Sequence, residues 1–121
     1  MDWSAAFFKD ADKKDIDALA PWFGEGITVR FGNNPPIHGR EAVTETFRQF
    51  FQGIAAMRHD RDTVIVDGDS ICSAATVTYT RLDGSQVSMP AASVLHRDAG
   101  GKLDKLNIYI DINPLFAAPS S

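Results

Sequence analysis

One cysteine, Cys72, stands in a chain of 121 residues. No intramolecular disulfide can form, and nothing in the cysteine usage points to an oxidising compartment. No basic residue lies beside Cys72 in the sequence to activate it, which makes it a structural thiol. Positive charge is also scarce: 12 Lys and Arg face 16 Asp and Glu, a formal net charge of −4. No basic run is available to neutralise phosphates, so nucleic acid is set aside as a partner. No apolar stretch reaches membrane-spanning length, and Asp2 and Trp3 follow Met1 where a signal segment would begin. The expected location is therefore the cytoplasm, with no membrane partner. The three histidines, His38, His59 and His96, lack metal-ligand spacing, and no glycine-rich phosphate loop follows a strand. Neither a metal nor an organic cofactor is expected. His38, after Pro35-Pro36-Ile37, and His96, beside Arg97-Asp98, read as solvated turn residues.

The remaining composition is that of a globular protein, with 44% hydrophobic and 23% charged residues. The length fits one domain over 1–121 that can bury a core unaided, with a frayed tail at 117–121. A short helix is predicted from Trp3 to Lys9 with Ser4 as its cap, and a second from Lys14 to Trp22, ended or bent by Pro21. Ile27, Val29 and Phe31 alternate with polar residues as a first strand. The clearest helix spans Gly39 to Ala56, where Val43, Phe47, Phe50, Phe51 and Ile54 form one apolar stripe. From Asp62 onward the pattern is that of strands: Thr63–Val66, Ile71–Thr80, Gln86–Arg97, and a last one at the C-terminal end. Turns at Asp67-Gly68-Asp69, Leu82–Ser85 and Asp98–Lys102 separate them. Pro90, inside the third run, marks a bulge or an edge position. Helices first and a meander of strands after give an α+β domain, about three N-terminal helices on one face of a curved antiparallel sheet. A cleft is expected between helices and sheet.

The last strand poses the functional question. Leu106, Ile108, Ile110 and Ile112 alternate with Lys105, Asn107, Tyr109 and Asp111 before Pro114 stops the ladder. Its polar face either meets water or lines the cleft, where a tyrosine donor and a carboxylate acceptor would lie about 7 Å apart. In an apolar cleft Asp111 would be a general acid or base; on the surface it would simply cap the turn before Pro114. His59, between the long helix and the meander, is either an exposed loop residue or the partner of that carboxylate. Tyr79 and Tyr109 are the only tyrosines; each either packs across the sheet or donates to an oxyanion. Trp22, Phe47 and Phe51 are expected to wall the cavity rather than perform chemistry. Arg30, opposite in phase to Val29 and Phe31, either enters the cleft or is solvated. Val87, Met89, Val94 and Leu95 are candidates for an isologous dimer face.

The runs Gly39-Arg40-Glu41-Ala42-Val43, Met57-Arg58-His59-Asp60, Val77–Gly84 and Tyr109–Leu115 together resemble the SnoaL-like polyketide cyclase group of the nuclear transport factor 2-like (ketosteroid isomerase-like) superfamily. The likeness covers nearly the whole chain. It implies a curved sheet wrapped as a cone on three helices, a pocket between them, and homodimers. It also implies an Asp or an Asp–His pair acting without metal or cofactor, matched here by His59, Tyr79, Tyr109 and Asp111. The sequence departs from the group at Asn107 and Ala74, where many relatives carry an arginine and an acidic residue. That removes a charge pair of the kind epoxide hydrolases use. The expected function is a pocket protein for a small apolar or polycyclic carbonyl compound, acting as a cofactor-free isomerase, dehydratase or cyclase by proton transfer. The alternative is a ligand-binding or dimerisation module of the same fold.

Overall fold

The structure is a computed structural model that describes residues 2–117. Helix α1 runs from Ser4 to Asp12, one turn beyond the expected end, because Ala11 continues the apolar face of Phe7 and Phe8 into the core. Ser4 is a helical residue rather than the cap; the Asp2 carboxylate accepts from its backbone N–H instead. Helix α2 spans Ile16–Leu19 and is capped by Asp15, which accepts from the N–H of Asp17. A 3₁₀ turn at Ala20–Trp22, with Pro21 in its first positions, then leads into strand β1, Phe23–Phe31.

After the two-residue strand β2 (Ile37–His38), helix α3 covers Arg40–Gln52. Val43, Phe47 and Phe51 are its buried stripe, as the spacing predicts. Gly53 closes the helix short of Ala56, since Ala56 already belongs to β3, which extends to Asp67. Strands β4 (Ser70–Thr80), β5 (Gln86–Arg97) and β6 (Leu103–Ile110) complete the sheet. A short helix α4, Asn113–Phe116, begins where Pro114 forbids further strand. Apart from Ala117, the expected frayed tail lies outside the described residues.

The strand order is β2-β1-β6-β5-β4-β3. The fold is α+β as expected, but the sheet is mixed: β1 and β6 run parallel, while every other pair is antiparallel. Pro90 pairs with Thr76 on β4 and lies just beyond the point where β6 joins at Ala91, so its missing N–H costs no ladder bond. It is an edge position, without a bulge.

Alternation along the strands sends Ile71, Ala75, Val77, Tyr79, Met89, Ala91 and Leu95 inward against the helices. Each fully buried Leu, Ile or Phe contributes about 1.5–3 kcal/mol. Met89 and Leu95, expected at a dimer face, are core residues at 4% and 0% exposure. Val94 alternates with them and faces outward, half-buried. No helix among the described residues is long and apolar enough to cross a membrane.

Candidate functional site

His59 lies on β3, not in a loop. Met57, His59 and Arg61 share the half-buried face of that strand, while Arg58 and Asp60 face water. The β3–β4 register sets Met57 opposite Tyr79 and His59 opposite Val77, so His59 and Tyr79 are diagonal neighbours on the inner face.

The partner of His59 is Asp12, the last residue of α1. Its Oδ1 lies 2.5 Å from His59 Nδ1, and its Oδ2 accepts from the His59 backbone N–H at 3.0 Å. A carboxylate at a helix C-terminus meets the unfavourable end of the helix dipole; the two donors on His59 offset that cost. With Nδ1 engaged as the donor, Nε2 of a neutral ring is an acceptor, and no hydrogen bond occupies it among the described residues. The ring is only 12% exposed and packs on Phe8 at 4.9 Å between centroids.

Tyr79 is 3% exposed. Burial first, and the negative charge of Asp12 second, push its hydroxyl well above the usual tyrosine range. It therefore stays protonated and keeps a hydrogen to donate. The edge of the Phe50–Tyr79 pair closes one side, with ring centroids 5.7 Å apart. Between these groups lies an inner chamber of about 40 Å³, lined by Phe8, Met57, His59, Tyr79, Ser93 and Ile108 among others. That is room for about one water.

A second, larger cavity of about 410 Å³ opens beside it, between the end of β1, α3 and the C-terminal segment. Phe31, Phe47 and Phe50 belong to the walls of both spaces.

Next to the dyad, Arg61 is fully engaged. Its Nε donates to Ser73 Oγ at 2.9 Å, Nη1 to Asp2 Oδ2 at 3.0 Å and Nη2 to Ser4 Oγ at 2.6 Å. Its guanidinium also stacks 4.8 Å over Phe8, on which His59 packs as well. Burial raises the Asp2 carboxyl, but hydrogen bonds from Ser4 and Arg61 outweigh that and hold it below the usual range.

Of the residues singled out in the sequence, His59, Tyr79, Phe47 and Phe51 surround the inner chamber. The others do not. Asp111 is exposed and accepts from the N–H of Asn113, capping the turn into α4. Tyr109 is 56% exposed on the outer face of the sheet. The apolar side of β6, with Leu106, Ile108 and Ile110, lines the chamber, so Asn107, Tyr109 and Asp111 are turned away from it. Arg30 is exposed. Trp22 packs on Phe7 and donates to Asp10 through its indole N–H at 2.8 Å, apart from both cavities. In the sequence Phe8 falls on the apolar side of the first helix, while Asp12 is not among the candidate residues; the readable signal is a carboxylate one helical turn past Phe8. Among the described residues no group of three or more potential ligands could hold a metal.

Structures of known proteins share this architecture. An NTF2-like protein of unknown function from Exiguobacterium sp. 255-15 superposes with a TM-score of 0.75 and 23% identity over 88% of this chain and 96% of its own. A candidate SnoaL-like polyketide cyclase from Jannaschia sp. CCS1 gives 0.78 and 17% over 95% and 90%. An LEH-like epoxide hydrolase from M. tuberculosis gives 0.77 and 18% over 93% and 82%. At these identities the likeness speaks to the fold. No curated protein matches the sequence. Helices on one face of a six-stranded sheet are the fold of the NTF2-like structures, and residues 5–105 match the SnoaL-like domain family, to which the chain belongs.

Proposed function

We propose that this protein is an acid–base enzyme that moves a proton at a carbon next to a carbonyl group, in a small, uncharged, largely apolar compound. The observation that carries the reading is that His59, held by Asp12, and Tyr79 line one small apolar chamber. His59 Nε2 takes the proton from the α-carbon. The C–H electron pair moves into the carbonyl, and the oxygen that gains charge accepts a hydrogen bond from Tyr79. Asp12 is a positioning residue: it fixes the ring and stabilises the imidazolium that forms. Returning the proton to another carbon completes an isomerisation; its delivery to a β-hydroxyl that departs as water, as the C–O electron pair leaves with the oxygen, gives dehydration, and attack of the enolate carbon on a second carbonyl, whose alkoxide takes the proton, gives cyclisation. Such proton transfers ask for no cofactor. The epoxide hydrolase and the candidate cyclase among the structural neighbours are consistent with enzymes on this scaffold.

The test is deuterium incorporation at the α-carbons of 2-tetralone in D₂O, followed by NMR. The wild type should accelerate exchange saturably, and His59→Gln should lose about 100-fold or more of that acceleration. Equal rates in the two proteins would leave the pocket as a binding module.

The same proposal includes a homodimer formed through the outer face of the sheet, where Cys72, Ala74, Ala92 and Val94 make a half-buried patch of small side chains beside Tyr109. Sedimentation over a range of concentrations tests it; a constant monomer mass contradicts it.

A further inference from the structure

Strand β3 is one edge of the sheet, and its two halves are finished differently. The first half is guarded. Arg58 and Asp60 put charge on it, the register breaks between Arg61 and Thr63, and Asp12 takes the N–H of His59. The opposite edge of the sheet is the two-residue strand β2, too short to recruit another strand. From Thr63 to Asp67, in contrast, every residue of β3 is exposed, with Val64 and Val66 at 37% and Ile65 at 62%. Three β-branched residues in a row on an open edge are a template for a further strand.

The register shows which backbone groups this edge offers. Arg97 donates its N–H to the Asp69 carbonyl, so the odd-numbered residues of β4 turn their N–H and C=O towards β5. Cys72 and Ala74 therefore bond to Ile65 and Thr63 of β3. The N–H and C=O of Val64 and Val66 point the other way, and no other element takes them up among the described residues. His59 pairs with an odd-numbered residue, Val77, and its N–H does point outward, to Asp12.

We infer that this edge pairs with the same edge of a second copy, antiparallel, with the two-fold axis at Ile65. Val64 then stands opposite Val66 of the other copy, and their outward groups exchange hydrogen bonds on both sides of the axis. The two Ile65 side chains meet on the outer face, flanked by Thr63 opposite Asp67, a hydroxyl facing a carboxylate. The edge suits its own copy because Val64-Ile65-Val66 reads alike in both directions. A slip of two residues sets Ile65 against Asp67 or Thr63 instead. A segment this short falls well below the roughly 20–30 residues a side of a standard stable interface, so the pair forms in the micromolar range. This strand-to-strand contact is separate from the outer-face pairing proposed above and from the acid–base site.

The test is sedimentation of the whole chain from low to high micromolar concentration, together with cross-linking. Val66→Pro removes an N–H that the edge offers and β4 does not use, and Ile65→Lys sets two like charges at the axis. Melting temperatures show whether each variant folds. The expected result is a reversible doubling of the mass in the wild type that both variants lose. With the outer-face pair formed, that doubling runs from dimer to tetramer; without it, from monomer to dimer, so the two proposals fail separately. Cross-linking uses a Cys72→Ser background, because Cys72 pairs with position 65 within the chain. There Ile65→Cys should give a disulfide-linked dimer under diamide, since the facing Cα atoms lie about 4.5 Å apart. Thr63→Cys should give none, its two copies being about 13 Å apart. A mass that never doubles overturns the inference, as does a doubling that a folded variant retains. Cross-linking no stronger at position 65 than at 63 overturns it too, as does a mass that climbs without limit.

Discussion

Asp12 and His59, 47 positions apart in the sequence, are joined by two hydrogen bonds that one carboxylate accepts, at 2.5 Å from the ring and 3.0 Å from the backbone N–H. This clamp docks the end of α1 on β3 and orients the imidazole in a single act. Fold and site depend on the same contact.

Removing the carboxylate should therefore cost stability as well as function. Asp12→Ala leaves the His59 backbone N–H and Nδ1 without acceptors in a half-buried place, a cost of about 1–3 kcal/mol. Urea denaturation of the two proteins measures it; an unchanged midpoint would mean that α1 docks through Phe7 and Phe8 alone.

Tyr79 makes stability sensitive to alkali. Its hydroxyl holds its proton more tightly in the folded state, first through burial and then through the charge of Asp12. Above about pH 10, the ordinary tyrosine value, the unfolded chain loses a proton that the folded one keeps. The contribution is complete below that pH and is lost as pH rises toward the folded value. Tyr79→Phe should flatten this alkaline fall in a melting-temperature series from pH 8 upward, in contrast to a parallel series in which both proteins fall alike.

Asp2 acts at the acid end. Hydrogen bonds from Ser4 and Arg61 overcome burial and hold its carboxyl low, so the unfolded chain takes up the proton first. The stabilisation is present above about pH 3.9 and disappears as pH falls through the lower folded value. Asp2→Asn should reduce the acid sensitivity of the melting temperature. Arg61→Leu leaves the buried Ser73 hydroxyl without a partner and takes the guanidinium from Asp2, which keeps its hydrogen bonds from Ser4, and should cost about 1–3 kcal/mol at neutral pH. A loss below about 0.5 kcal/mol would place this network at the solvated surface.

How much of this could be read from the sequence varied with the element. The stripe of α3 announced itself because a single apolar face decides a helix. The hairpin turns did too: Gly68, Gly84 and Gly101 all adopt positive φ where the sequence placed turns. The first half of β3 did not, because Arg58, Asp60, Arg61 and Asp62 carry little strand propensity. Pairing with β4, which no local pattern encodes, makes that segment a strand and puts His59 inside. On β6 the alternation was plain, but alternation names two faces without saying which one the helices cover. Tyr109 and Asp111 proved to be on the other one. Asp12 escaped notice because its role depends on a residue 47 positions away.

The most direct test of the account is the tautomer of the neutral His59 ring, read from two-bond ¹H–¹⁵N correlations of the imidazole. Donation to Asp12 requires the proton on Nδ1 and leaves Nε2 free to act as a base, and Asp12→Ala should release the ring to the Nε2–H form. Finding Nε2–H in the wild type would contradict the account, because the nitrogen assigned to take the substrate's proton would already carry one.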